Sequence, residues 1–348
     1  MAGPEARLPA LSVVMPVRDG ATFLRHSLPA LLASDLPRHA WELIVVDDGS
    51  GDDSAAVAGQ YADRILRSAP AGPPRARNLG AAVARGAILV FVDADVCVHA
   101  DALRRIRDAF DRDPALTAVF GAYDLAPTEA GLVSQYRNLL HAYVHRREAG
   151  DAVTFWTGLG GVRREAFEAV GRFDEGERLD DVELGYRLAS RGCRMTLDPA
   201  IQGTHRKRWT LSSVTATDVG YRGVPWMRLL LQGRYPSGRT SLNVSGLERF
   251  LTASVGVGAV SALAAVLTAD PRWSACAVAA LVASVVGDRE FLIWLAGQRG
   301  WWFALRALPL RLLYYGLNVV SVVLALLPLE WRRAGVPRKP GLAEEAGA

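Results

Sequence analysis

Six consecutive apolar residues run from Ala87 to Val92, preceded by Gly86 and cut off by Asp93-Ala94-Asp95. A stretch that is hydrophobic on both faces belongs to a strand buried from both sides, which demands a largely parallel sheet covered by helices. The chain is therefore expected to be α/β, with Asp93 and Asp95 delivered to the carboxyl end of that strand, where open α/β sheets hold their ligands. Side chains two apart on an extended chain point the same way, so both carboxylates can face one divalent cation bound to a diphosphate. Hard oxygen ligands suit Mg2+ or Mn2+. An isolated Asp-x-Asp is more often a turn than a site, so the segments around it decide.

Leu11–Val17 reads as a first strand, Val-rich, with Pro16 tolerated at its end. A helix follows, with Leu24, Leu28, Leu31 and Leu32 as its core stripe and Pro29 bending it. Trp41–Val46 is a second buried strand that also ends in acid, Asp47 and Asp48, before the turn Gly49-Ser50-Gly51; a capping turn and a ligand site are equally open there. Arg75-Ala76-Arg77-Asn78 opens a helix ahead of the Asp-x-Asp strand, so that an arginine can reach a phosphate. Thr117–Phe120 is a further strand and Gly131–Arg147 a helix, on which His141 and His145 stand one turn apart as a half-site without a third ligand. Thr157–Arg164 is glycine-dense and reads as a loop or a backbone made for close approach. Asp174, Glu175, Glu177, Asp180, Asp181 and Glu183 then crowd together, an arrangement that repels itself unless a cation or proton intervenes. A short strand, Cys193–Leu197, precedes His205-Arg206-Lys207-Arg208-Trp209.

In order and spacing, Val14-Met15-Pro16-Val17, Val45-Val46-Asp47-Asp48-Gly49-Ser50, Ala76-Arg77-Asn78-x-Gly80 and Phe91-Val92-Asp93-Ala94-Asp95 resemble the family 2 glycosyltransferases, from about Leu11 to about Trp226. The resemblance implies the GT-A fold: a doubly wound, Rossmann-like nucleotide-sugar domain over residues 1–226, with a donor half at about 8–120 and an acceptor half at about 121–226. It implies that Asp48, with Pro16 and Val17 near, meets the base and ribose of a UDP- or GDP-linked sugar, that Arg77 meets phosphates or the base edge, and that Asp93 belongs to the donor site. Asp95, Asp93 and His205 are then the candidate ligands of Mg2+ or Mn2+, His205 alternatively donating to the diphosphate. Trp156, Gly158 and Gly160 line the acceptor side, the glycines admitting a sugar and the indole stacking on it. Asp180-Asp181 resembles the family's acidic pair before a helix, whose second member is the general base, which makes Asp181 the base and Asp180 an acceptor-side residue standing where Glu is usual. His205 stands where polymerising members carry the Gln of Gln-x-x-Arg-Trp, which points to transfer of a single sugar.

The remaining third of the chain has a different composition. Phe250–Ala269, Trp273–Gly287 and Leu312–Leu329 are free of charge, the first and third long enough to cross a bilayer, and Arg289–Arg311 with Trp301 and Trp302 reads as an interfacial segment. Residues 250–331 are thus expected to be membrane helices, followed by a polar tail over 332–348. Between His205 and Arg249 eight Lys or Arg face only Asp218 and Glu248, so that 227–249 suits a linker against anionic headgroups. Basic flanks place Arg249, Arg289, Arg299, Arg306 and Arg311 inside, but Arg332, Arg333, Arg338 and Lys339 leave the third crossing undecided between a span and a re-entrant segment. Three scattered cysteines suggest neither disulfides nor zinc, no secretory signal is read at the start, and a net charge of +4 does not indicate a nucleic-acid partner. The expectation is an inverting enzyme in the inner (plasma) membrane, its catalytic domain cytoplasmic, that moves one sugar from a nucleoside-diphosphate sugar to a lipid-linked acceptor. A polyprenyl-phosphate sugar synthase and a membrane-tethered nucleotide-binding scaffold without turnover are the alternatives.

Overall fold

The computed structural model describes residues 9–233 and 244–327; the first eight residues, the middle of the basic linker, the end of the third apolar stretch and the polar tail lie outside them. The chain divides into two compact units, residues 9–129 with 145–208, and residues 130–144 with 209–327. The division falls at Trp209 rather than near residue 226. Trp209 and Asp218 hold side chains of the earlier 130–144 stretch: the Ser134 hydroxyl accepts from the Trp209 N–H at 2.8 Å, and Arg137 pairs with Asp218.

The first unit opens β1 (Leu11–Val17), α1 (Ala21–Leu32), β2 (Trp41–Asp47), α2 (Ser54–Ala58), β3 (Arg64–Arg67), α3 (Pro73–Val83), β4 (Ile88–Val92). It continues with β5 (Val96–Val98), α4 (Ala102–Arg112), β6 (Leu116–Tyr123), the long α5 (Leu132–Arg147) that passes through the second unit, β7 (Gly150–Ala152), β8 (Leu159–Arg163), α6 (Arg164–Ala169), α7 (Asp180–Ser190) and β9 (Arg194–His205). Among the described residues these strands form a single sheet in the order β3-β2-β1-β4-β8-β6-β9-β5, with β7 on β9. β3, β2, β1 and β4 run parallel, as their continuous apolar character requires. The half beyond β4 is mixed, because β8 enters antiparallel between β4 and β6. β1 and β2 end together: Val17 pairs with Asp47, and Asp48 donates its N–H to the Val17 carbonyl at 2.9 Å; β4 ends at Val92, one residue past the Val14–Phe91 pair.

Two segments differ from their sequence reading. The glycine-dense stretch is not a loop but the central strand β8. Its glycines answer to their neighbours, since a Cβ on Gly161 would lie 2.8 Å from Ile106 and one on Gly160 would lie 2.8 Å from the Phe155 ring. β9 is also far longer than Cys193–Leu197. It passes through Asp198-Pro199-Ala200 as a bulge, the partner of β6 jumping from Leu197 at Phe120 to Gln202 at Ala122, so the proline sits where no ladder donor is needed.

A cluster of rings lies under the carboxyl end of β4: Phe91 meets Phe155, Phe167 and Phe173 at centroid separations of 6.5, 5.6 and 5.0 Å. Above it, α7 packs so closely that a Cβ on Gly185 would lie 2.6 Å from the Thr154 carbonyl carbon. Backbone cannot give way as a side-chain tip can, so Gly185→Ala should lower stability by about 1–3 kcal/mol. A denaturation midpoint equal to that of the parent would contradict this packing.

The second unit is helical: α8 (Leu211–Thr215), a π-helical turn over Ala216–Gly223, α9 (Val224–Leu231), α10 (Gly246–Thr268), α11 (Pro271–Gly287), α12 (Arg289–Arg299) and α13 (Trp301–Leu326). Asp270 caps α11 by accepting from the Arg272 N–H at 2.9 Å. The expected interfacial segment is two helices, broken where Gly300 takes a φ of +84°, and α13 carries its start on into the third apolar stretch.

Candidate active site

Carboxylates meet at the end of the parallel strands because β1 and β2 stop together and β4 two residues before them, and because α3, which runs between β3 and β4, turns two neighbouring side chains toward the acidic segment. Arg77 is 4 % exposed. Its Nη1 donates to Asp180 Oδ2 at 2.6 Å and its Nη2 to Asp93 Oδ1 at 2.8 Å. Burial works against the charged guanidinium, but Asp180 and Asp93, with Asp181 adding to them, outweigh it and hold Arg77 above its ordinary pKa. Next to it, the Asn78 amide donates to the Phe173 carbonyl and to Glu175 Oε1, both at 3.0 Å, and accepts from the Phe173 N–H at 3.1 Å. The acidic segment and the Asp-x-Asp strand are thereby fastened to one turn of one helix.

This settles what holds the crowded acids together. Asp180 is bound by Arg77 and Glu175 by Asn78, while buried Glu183 takes Arg187 through both oxygens, at 2.7 and 2.9 Å from Nε. Arg187 also donates to the carbonyls of Val170 and Arg172, which anchors the start of α7. Asp181 stands half-exposed in the first turn of α7, one oxygen accepting from the Val182 N–H at 2.8 Å.

β5 pairs antiparallel with β9 so that Val96 faces His205, which sets the imidazole beside the Asp-x-Asp turn. His205 Nε2 lies 3.5 Å from Asp95 Oδ2, and the Arg206 N–H donates to the Asp95 carbonyl at 2.9 Å. Tyr123, from the end of β6, stacks flat on the His205 ring at 4.3 Å and 6°. Asp95 and His205 offer a hard oxygen and an imidazole to a divalent ion, whereas Asp93 is engaged by Arg77. Among the described residues no group of three His, Cys, Asp or Glu side chains is placed to close around a metal, so an ion here would need diphosphate oxygens to complete its shell, as Mg2+ commonly does.

Several residues expected at the site have protein partners in the structure. Asp48, read as a contact to the base, is buried with both oxygens on the loop before α3, accepting from the N–H groups of Ala71 at 2.9 Å and Gly72 at 2.8 Å. It shapes the donor side through that loop, with Pro16 and Val17 on the neighbouring strand end. Arg77, read as a contact to the phosphates or the base edge, has both terminal nitrogens on carboxylates. Trp156, read as a stacking platform, is 8 % exposed, edge-on to Tyr123 at 4.9 Å and to His145 at 5.2 Å. The space beside Gly158 is filled by that same indole, and a Cβ there would lie 2.9 Å from its Nε1. His145 donates from Nδ1 to the Gly121 carbonyl, 2.8 Å away, inside the core, and among the described residues no group of three metal-ligating side chains includes it or His141. Asn78, Tyr123 and Glu183 are the side chains the sequence did not single out for the site. Asn78 carries a signal in its place directly after Arg77 and Glu183 in its membership of the acidic cluster, whereas Tyr123 carries none.

Residues 12–171 match the family model "Glycosyl transferase family 2". A validoxylamine A glucosyltransferase of Streptomyces hygroscopicus subsp. jinggangensis is 28 % identical over 57 % of this chain and 55 % of its own length. A pre-mycofactocin glycosyltransferase of Mycobacterium tuberculosis is 29 % identical over 71 % of this chain and 53 % of its own. The chain thus spans about half the length of these curated relatives. Among solved structures, a mannosyltransferase from Pyrobaculum calidifontis in complex with GDP-Man and Mn2+ superposes with a TM-score of 0.57 at 18 % identity, covering 92 % of this chain and 89 % of that one. The likeness places the first unit in the GT-A fold, a mixed α/β sheet followed here by a helical region.

Proposed function

We propose that this chain, whose residues 12–171 belong to glycosyl transferase family 2, transfers a single sugar with inversion from a nucleoside-diphosphate sugar to a hydroxyl of a lipid-linked acceptor at a membrane. The observation that carries the reading is the double bridge of Arg77, which ties Asp93 on the donor strand to Asp180 at the head of α7. It keeps the next residue, Asp181, within the same small site as the Asp-x-Asp turn.

The chemistry follows from these placements. The diphosphate sits against Asp93, Asp95 and the cationic stretch Arg206–Arg208, and its base lies over the ends of β1 and β2 by Pro16, Val17 and the loop that Asp48 holds. Asp95 and His205, steadied by Tyr123, would hold Mg2+ or Mn2+, which supplies positive charge against the leaving diphosphate. Asp181 takes the proton of the acceptor hydroxyl as that oxygen bonds to the anomeric carbon and the bond to the diphosphate breaks on the opposite face. One displacement inverts the centre and leaves no covalent sugar on the protein. Asp180 does not reach the acceptor while it is bound to Arg77, and its role is to aim α7.

Membranes carrying the protein, incubated with labelled UDP- and GDP-linked sugars and extracted into organic solvent, should yield labelled lipid with a donor of one base. The absence of both transfer and donor hydrolysis with every donor would overturn the enzyme reading. Adding a chelator should weaken binding of the accepted nucleoside diphosphate in calorimetry. Unchanged binding would overturn the role of Asp95 and His205 as metal ligands.

A further inference from the structure

The apolar surface of the helical unit points outward. It buries Leu251, Phe291, Leu295, Tyr315 and Leu317, but where α10, α11 and the far part of α13 meet, the buried side chains are small or polar, among them Ser261, Ser284, Ser321 and Ala325. The ones it exposes are large and apolar: Val260 at 67 %, Leu263 at 60 %, Val266 at 81 % and Leu267 at 75 % on α10, Val278 at 60 % on α11, and Val323 at 53 % and Leu326 at 64 % on α13. In water this arrangement leaves the hydrophobic driving force unused. In hydrocarbon it is the expected one, because lipid tails satisfy the outer Val and Leu while small residues let backbones approach.

The contacts give the three helices a common register. Glu248, at the start of α10, Asp288, just after α11, and Arg311 of α13 meet in one buried group: Arg311, 2 % exposed, donates to Asp288 at 2.6 and 2.9 Å and to Glu248 at 3.4 Å. The Tyr315 hydroxyl adds a bond to Asp288 at 3.2 Å. Climbing from that level, α10 and α11 stay in antiparallel step, with Leu251 at Gly287, Gly258 at Ala280, and the Ser261 hydroxyl 3.3 Å from Cys276 Sγ. α10 and α13 stay in parallel step: eight residues above the Glu248–Arg311 contact, Gly256 meets Val319. Apart from Arg249, next to Glu248, none of the three helices carries a charge between the charged group and the far turn Asp270-Pro271-Arg272. Phe250–Ala269 rises about 30 Å at 1.5 Å per residue, the thickness of a bilayer's apolar core.

We propose that the outer surface of α10, α11 and the part of α13 beyond Arg311 faces bilayer hydrocarbon as one three-helix bundle. All three helices enter at the level of Glu248, Asp288 and Arg311, Asp270–Arg272 emerge on the opposite side, and α13 runs toward that same side. This rests on the membrane reading above and goes beyond it, because it makes the third helix a full crossing parallel to α10 and not a re-entrant one. The three charges are kept within the protein at the boundary, where charged groups in a membrane protein pair with one another.

The test is cysteine accessibility in sealed inside-out and right-side-out vesicles. Arg249→Cys and Arg289→Cys would report the entry level, and Arg272→Cys and Arg333→Cys the far side, Arg333 being as many residues past Arg311 as Asp270 is past Glu248. Each is placed singly in the full chain with Cys97, Cys193 and Cys276 replaced by Ser, and the probe is a membrane-impermeant maleimide. Arg249, Arg272 and Arg289 are exposed. Arg249→Cys and Arg289→Cys should label in one vesicle orientation, Arg272→Cys and Arg333→Cys in the other. Arg333→Cys labelling together with Arg249→Cys would overturn the parallel crossing. Labelling of all four from one face, with the protein still in the membrane after carbonate washing, would overturn the bundle while leaving membrane attachment intact. Release by carbonate would overturn both.

Discussion

Asp181→Asn should bind nucleoside diphosphate as the parent does and transfer sugar about 100- to 10,000-fold more slowly, the range that loss of a general base produces. The two halves of that result come from separate parts of the site. Asp180 and Glu183, the other acids in the first turn of α7, are bound by Arg77 and Arg187, so the helix should keep its place when Asp181 loses its charge. The amide retains the size of the carboxylate and can still accept from the Val182 N–H. What it cannot do is receive the acceptor's proton. Titration calorimetry with the diphosphate, set beside single-turnover transfer, separates the two effects. A variant that kept near-normal transfer would show that the acceptor arrives already ionised, as a phosphate does, and the polyprenyl-phosphate synthase reading would then replace the present one.

Arg77→Met should lose both binding and transfer. Methionine keeps most of the side-chain volume but leaves Asp93 and Asp180 facing each other with no cation between them. Breaking a buried pair by removing one partner costs about 3–5 kcal/mol. The lower end is expected here, since Asp93 keeps about a quarter of its side chain in contact with water. Urea denaturation of the chain should show the loss, and nucleoside-diphosphate binding should fall with it because Asp93 loses its orientation. Arg77→Lys should recover part of the stability and little of the transfer, because an ammonium supplies the charge without a fork that spans two carboxylates. An unchanged denaturation midpoint in Arg77→Met would mean that the bridge is not what unites the two halves of the site.

Much of the donor side was legible in the sequence for a simple reason. β1, β2 and β4 are buried on both faces, so their apolar runs are continuous, and the acids after them can only stand at strand ends. The acidic turn before α7 was legible as a cluster of charge. The partners were not: nothing local to Asp180 announces an arginine more than a hundred positions earlier, and nothing at Tyr123 announces that β6 and β9 will bring it flat against His205. β8 was read as a loop because glycine is a poor strand former by propensity, whereas its glycines fit ring and aliphatic side chains of the same unit. β9 was cut short by the breaker Pro199, which the bulge absorbs. The apolar helices were visible by length. Their common entry level was not, because it is written in a contact among Glu248, Asp288 and Arg311.

Arg77 and Asn78 are consecutive residues, yet one reaches Asp93 and Asp180 and the other Phe173 and Glu175. The donor half and the segment that carries Asp181 are therefore not exchangeable modules. A hybrid that joined the first 120 residues of this chain to the acceptor half of a relative would keep a sound sheet and still misplace its base, unless the graft brought matching partners for that one helical turn. Attempts to alter acceptor choice by recombination should cut after α7, or transplant α3 together with the acidic segment.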